Sequence, residues 1–127
     1  MEKQIILVVE DEKPLVEAIR KKLQLSGFEV VTARSVKQAL NYLEDLKKID
    51  AIWLDHYLLG QESGLDFIAE AKKEKSKWKK IPVFVVSNTA TPDKIKAYLY
   101  LGAEKYYTKA DYRLDKIIVD IKAVLKK

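Results

Sequence analysis

The strongest constraint on this chain is an alternation: short apolar runs rich in β-branched residues, each followed by a segment with helical period. Ile5 to Val9 (Ile-Ile-Leu-Val-Val) has no polar alternation, so it reads as a strand buried on both faces. Leu15, Ile19 and Leu23 then recur at helical spacing, with Pro14 at the helix start and Gly27 as the stop. Glu29 to Ala33 is a second strand. Ser35-Val36-Lys37-Gln38 has the form of a capping box, and Val36, Ala39, Leu40 and Leu43 continue one apolar face. Asp50 to Leu54 is a third strand. A loop with Gly60 and Gly64 leads to a helix start at Ser63 to Asp66, with Leu65, Ile68 and Ala71 on its apolar side.

Ile81 to Val86 reads as a fourth strand, its proline at the entrance, where a missing donor does little harm. Thr91-Pro92-Asp93 opens a fourth helix and Gly102 ends it. Lys105 to Thr108 is the fifth strand. Asp111 is placed to cap a last helix, which carries Leu114, Ile117, Ile118, Ile121 and Leu125 and runs to Lys127. Five strands alternating with five helices predict an α/β fold: a parallel sheet wrapped on both faces. Right-handed crossovers leave few topologies, and the doubly wound, flavodoxin-like (βα)5 order 2-1-3-4-5 leads for this size.

The 127 residues make one domain, spanning 1–127. With 48% hydrophobic and 34% charged residues the chain can bury a core, which excludes general disorder. No apolar run approaches the about 20 residues of a membrane span, and Met1-Glu2-Lys3-Gln4 has no signal-peptide layout. Cysteine is absent, so disulfides and thiolate metal sites are excluded. These features fit a cytoplasmic location. The net charge of +5 owes much to the segment Lys72 to Lys80. It reads either as a patch for nucleic acid or an acidic partner, or as a helix end whose lysines meet the dipole and run into a solvated loop. No nucleic-acid-binding motif accompanies it, and no direct nucleic-acid binding is expected.

In a doubly wound sheet, ligands bind beyond the carboxyl ends of the strands, where the winding reverses between strands one and three. Strand one ends in Glu10-Asp11-Glu12, strand three in Asp55, strand four in Ser87-Asn88-Thr89 and strand five in Thr108-Lys109. Carboxylates gathered there repel one another, and one holds a proton unless a cation intervenes. Mg²⁺ suits one or two carboxylates with water and phosphate oxygens. An Asp beside Mg²⁺, a Lys and a hydroxyl is also a place where an acyl phosphate can form.

On Val9-Glu10-Asp11-Glu12, Trp53-Leu54-Asp55, Val86-Ser87 and Tyr106-Tyr107-Thr108-Lys109, the chain resembles the receiver domain of two-component response regulators. The resemblance covers essentially the whole chain. It implies Asp55 as phosphoacceptor, Asp11 as a direct Mg²⁺ ligand and Glu10 as a ligand through water. The backbone carbonyl of Tyr57 would complete the metal ligands. Ser87 and Lys109 would bind phosphoryl oxygens, and Tyr106 would be the aromatic that reorients on switching. It also implies a sensor histidine kinase or phosphotransfer protein as donor. A downstream protein, or an output domain on a longer chain, would read the switch. Homodimers through helix four, strand five and helix five are a further implied contact. Tyr57 and Thr89 stand where the family tunes phosphoryl lifetime, and a bulky Tyr57 would shield the phosphoryl group.

The chain departs from the family pattern in several places. Asn88 replaces a small residue, and the loop after Asp55, with Leu59-Gly60-Gln61-Glu62-Ser63-Gly64, lacks its usual proline and is longer than usual by one residue. Ala110 replaces a proline that follows the lysine through a cis bond. A cis bond before Ala costs about 3–4 kcal/mol rather than about 0.5–1. The expectation is that it is nonetheless cis, since Lys109 must point back to Asp55.

Other readings compete. Glu10, Asp11 and Glu12 could cap helix one, Ser87 could start a turn, and Asp55 and Lys109 could be surface residues. His56 reads as an exposed loop residue. Tyr98, Tyr100, Tyr106, Tyr107 and Tyr112 are either packing or a partner surface. Rival functions are an Mg²⁺-dependent aspartyl-nucleophile phosphatase and a non-phosphorylated flavodoxin-like binding module. Against the first, Tyr57 stands where those enzymes carry a second Asp. Against the second, Asp11-Glu12-Lys13 is acidic and lacks glycine, so it repels phosphate.

Overall fold

The computed structural model describes residues 2–46, 48–89 and 91–126. In chain order the elements are β1 (Ile5–Val9), α1 (Lys13–Leu25), β2 (Glu29–Ala33), α2 (Val36–Asp45) and β3 (Ala51–Leu54). They continue with α3 (Gly64–Ala71), β4 (Val83–Ser87), α4 (Pro92–Tyr100), β5 (Lys105–Thr108) and α5 (Leu114–Leu125). The strands form one parallel sheet in the order β2-β1-β3-β4-β5, as the alternation predicts.

Side chains alternate across each strand, so the sheet builds two cores. Leu7, Val9, Ile52, Leu54, Val83 and Val85 face α2, α3 and α4. Ile6, Val8, Trp53, Phe84 and Val86 face α1 and α5. The three inner strands are buried on both sides, which explains their unbroken apolar runs. Each fully buried aliphatic contributes about 1.5–3 kcal/mol, so register is strongly held.

Several boundaries differ from the sequence reading, each for a local reason. Asp50 precedes β3, and its Oδ2 accepts the amide of Ile5 at 2.7 Å, a side chain standing in for a strand partner. β4 starts at Val83, past Pro82, and takes in Ser87. Ser35 caps α2 by accepting from Gln38 N at 3.1 Å. The reciprocal bond of a capping box is diverted, because Gln38 Oε1 accepts from Arg34 N at 2.8 Å. Ser63 and Asp66 do complete such a box at α3. Asp111 does not cap α5. Its amide closes a turn onto Thr108 O at 3.0 Å, and Arg113, which gives no side-chain cap, is the N-cap residue. The described part of the last helix ends at Leu125, and Lys127 lies outside the described residues.

The lysine segment begins beyond α3 rather than in its last turn. Lys72 Nζ donates to Lys79 O at 2.6 Å and to Ile81 O, so this cation closes the loop that leads into β4. Lys73 and Lys77 pair with Glu70 and Glu44.

Candidate functional site

Backbone bonds just past the strand ends align the chemistry. Glu10 N donates to Ala33 O at 2.9 Å, Asp55 N to Val9 O at 2.9 Å and Lys109 N to Ser87 O at 2.8 Å. Each residue is thereby fixed to a neighbouring strand, and all sit at the carboxyl edge around the β1/β3 reversal. Lys109 Nζ lies 3.0 Å from Glu10 Oε1 and 3.5 Å from Asp55 Oδ2. Glu10 and Asp55 are 1% and 4% exposed, so two nearly dry carboxyls face a single ammonium. Burial first, then the Glu10 charge, pushes the Asp55 carboxyl up to about 6, against the pull of Lys109.

The remaining oxygens are partly occupied. Asp55 Oδ1 accepts from His56 N at 2.8 Å, and Glu10 Oε2 from Glu12 N at 3.1 Å. Ser87 is fully buried, and its Oγ meets Thr89 N at 3.5 Å. Asp11 stands apart. Its Oδ1 accepts from Arg34 Nε at 3.0 Å on the rim, away from the Glu10–Asp55 pair. Among the described residues, no three acidic or imidazole side chains are drawn close enough to hold a metal in this arrangement. Neither Asp11 nor Glu12 makes a side-chain cap on α1.

The donor chemistry nonetheless fits a hard divalent cation. Two buried carboxyls against one lysine carry an excess of negative charge, which adds to burial in raising the Asp55 carboxyl. Oxygen donors of this kind are what Mg²⁺ takes.

Lys109–Ala110 is trans: no peptide bond among the described residues is cis. The expectation of a cis bond is corrected. Before alanine the trans form is favoured by about 3–4 kcal/mol, and the lysine amide bond to Ser87 O already aims the long side chain at the acids.

Around this pocket lie residues that the sequence reading did not place. Lys94 Nζ donates to Thr89 Oγ1 at 2.9 Å and to Tyr57 Oη at 3.3 Å, and sits 5.0 Å from the centre of the Tyr57 ring. The ammonium holds the Tyr57 phenol below its ordinary pKa. Tyr57, Thr89 and Lys94 thus link the loops after β3 and β4. His56 is not an exposed loop residue. Its Nδ1 meets the hydroxyl of Tyr98 at 2.6 Å, and burial lowers its pKa. Tyr98 is fully buried in α4, its ring centre 5.7 Å from that of Tyr106. Tyr106 in turn donates to Thr89 O. Gly64 is forced by this packing, since a Cβ there would lie 2.5 Å from both Asp55 O and Tyr98 Oη. The signals were Ile95 and Tyr98 one helical turn apart and a glycine opening α3. Nothing local in the sequence pairs His56 with Tyr98.

The tyrosine set divides. Tyr98 and Tyr107 are core, the latter donating to Asp120 Oδ2 at 2.7 Å, whereas Tyr100 and Tyr112 are exposed.

Comparison with known proteins bears on the family and the fold. The family model described as "Response regulator receiver domain" matches residues 6–122. Among curated relatives, the phosphate regulon transcriptional regulatory protein PhoB of Escherichia coli (strain K12) is 35% identical over 122 residues. The match covers 96% of this chain and 52% of PhoB, so the chain spans about half the length of the curated relatives it matches. Among solved structures, the Mn²⁺-bound form of response regulator Rcp1 is 27% identical with a TM-score of 0.81, covering 94% of this chain and 92% of that one. The phosphorylated cyanobacterial phytochrome response regulator RcpA is 29% identical with a TM-score of 0.81, covering 97% and 91%. The fold is that of a doubly wound receiver-type signalling domain. The chain belongs to the response regulator receiver domain family.

Proposed function

We propose that the chain is a phosphoacceptor switch in which Asp55 receives a phosphoryl group from a phosphohistidine. A sensor histidine kinase or a phosphotransfer protein is the donor. The observation that carries this reading is the convergence of Asp55, Glu10 and Lys109 at the β1/β3 reversal, with Ser87 buried at the end of β4. A carboxylate oxygen of Asp55 attacks phosphorus, an O–P bond forms, and the donor's N–P bond breaks. The imidazole leaves with the bond pair and takes up a proton. Lys109 and Ser87 hold phosphoryl oxygens, and Lys109 then exchanges a carboxylate partner for a phosphoryl one. Asp11, Asp55, the Tyr57 carbonyl and, through water, Glu10 would hold Mg²⁺, which would supply charge neutralisation at the phosphoryl oxygens. Bound Mn²⁺ in Rcp1 supports a divalent site, and phosphorylated RcpA supports the acceptor role.

The added charge shifts an equilibrium between two arrangements, read through Tyr106 and the loop after β4. Exposed Leu99, Tyr100 and Tyr112 support the α4–β5–α5 face as the surface for a downstream partner or a homodimer. An output domain on a longer chain is the other reader, with residues 1–127 as one receiver unit that does not itself bind nucleic acid. The domain acts as a switch rather than an enzyme. Membership of the receiver family supports a cytoplasmic setting, and no described helix is long and apolar enough to cross a membrane.

The test is incubation with acetyl phosphate and Mg²⁺ followed by intact mass. One phosphoryl group is gained by the parent and none by Asp55→Asn. Lys109→Ala is phosphorylated poorly. Sustained turnover of a phosphomonoester at about 1–100 s⁻¹ would instead mark a phosphatase.

A further inference from the structure

Lys94 stands in the first turn of α4, where the helix dipole favours anions over cations. Its ammonium makes two bonds among the described residues, and both go to neutral hydroxyls rather than to a carboxylate: Thr89 Oγ1 at 2.9 Å and Tyr57 Oη at 3.3 Å. Neither helix stability nor ion pairing therefore accounts for a lysine here. Tyr57 is 55% exposed, so its ring gains little from burial and swings between rotamers unless it is held. What holds it is the Lys94 ammonium, 5.0 Å from its ring centre, and the edge of His56, with ring centres 4.7 Å apart.

These side chains bridge a particular gap. β3 and β4 are neighbours in the sheet, with Leu54 opposite Val85. Asp55 directly follows β3, Ser87 closes β4, and both are buried. Tyr57 belongs to the loop after β3 and Thr89 to the loop after β4. The chain of contacts from Tyr57 through Lys94 to Thr89 therefore runs from one strand end to the other, across the opening between Asp55 and Ser87.

We propose that Lys94 is a positioning residue that pins Tyr57 across this opening and so slows the entry of the water that hydrolyses an aspartyl phosphate. The inference rests on Asp55 being the phosphoacceptor. In that hydrolysis the water oxygen bonds to phosphorus and the Asp55 O–P bond breaks. The carboxylate leaves with the bond pair, and the protons of the water pass to the released inorganic phosphate and to solvent. Lys94 touches none of these atoms. It acts through the Tyr57 ring, on access by water rather than on the bond that breaks.

The test phosphorylates the protein with acetyl phosphate and Mg²⁺, removes the donor by rapid desalting and follows the phosphorylated fraction by intact mass. Lys94→Met shortens the half-life about three- to tenfold, whereas Lys94→Arg, which still reaches both hydroxyls, keeps it within about twofold. Tyr57→Ala shortens it to the same extent, and Lys94→Met adds nothing in that background, because the lysine acts through the ring. The urea midpoints of Lys94→Met and the parent coincide, which separates positioning from a general loosening of the fold. An unchanged or longer half-life in Lys94→Met, multiplying effects of the two substitutions, or no rescue by arginine would each overturn the proposal. Those results, in a parent that does gain phosphate on Asp55, leave the phosphoacceptor reading standing. A parent that gains none removes both.

Discussion

The imidazole of His56 and the phenol of Tyr98, 42 residues apart, share a 2.6 Å hydrogen bond immediately after Asp55. That bond joins the loop after β3 to α4. The Tyr98 ring lies against Tyr106, and Tyr106 holds the loop after β4 through Thr89 O. Two contacts therefore connect α4 to the loop after β3, Lys94–Tyr57 and Tyr98–His56.

Gly64→Ala tests how tightly this corner is packed. The new methyl would lie 2.5 Å from a backbone oxygen and from the Tyr98 hydroxyl. A loss of about 1–3 kcal/mol is expected from urea unfolding. Adding Tyr98→Phe recovers only part of it, because Asp55 O is backbone and cannot step aside.

Asp55 predicts an unusual pH profile. Its carboxyl is raised from 3.8 to about 6 in the folded protein. The folded state thus binds the proton more tightly than the unfolded chain, and this group's contribution to stability is present below pH 3.8 and lost as pH rises through about 6. Asp55→Asn, which mimics the protonated acid, is expected to be more stable than the parent at pH 7.5, on the order of 2 kcal/mol. The difference shrinks towards zero near pH 4. Equal stability of the two at pH 7.5 would contradict the burial argument.

The fold was legible because its rules act locally. Period-2 and period-3.6 patterning, Ser63 with Asp66 and the glycine at 102 all report on neighbours within a few residues. Asp55, Glu10 and Lys109 could be brought together from sequence because topology alone puts strand ends on one edge. What lay beyond reach depends on which rotamer wins among competing partners. Asp11 turned to Arg34, Gln38 reached Arg34 instead of Ser35, and His56 found a tyrosine on α4. Asp111 lost its capping role because the chain turns once more, onto Thr108, before α5 starts.

Lys109→Met isolates the ammonium from its packing. Lys109 is the one cation in ion-pair distance of both Glu10 and Asp55 among the described residues. Without it two buried acids face each other alone, and one must hold a proton. A loss of about 3 kcal/mol is expected at pH 8 and a smaller one at pH 5, by urea unfolding at each pH. A pH-independent loss would mean that the lysine acts only by filling space.

In the proposed Mg²⁺ site, Arg34 would set the threshold: Asp11 would have to release its guanidinium before the carboxylate could join Asp55 and Glu10. The pair is half exposed, so separating it costs no more than about 1 kcal/mol. Arg34→Ala is therefore expected to tighten Mg²⁺ binding by about two- to fivefold, in a calorimetric titration at pH 7.5. Asp11→Asn should weaken it at least tenfold in the same measurement. The two substitutions act on one contact from opposite sides, so the double variant binds as poorly as Asp11→Asn alone. If Arg34→Ala instead weakened Mg²⁺, the guanidinium would be steadying Asp11 as a ligand rather than withholding it.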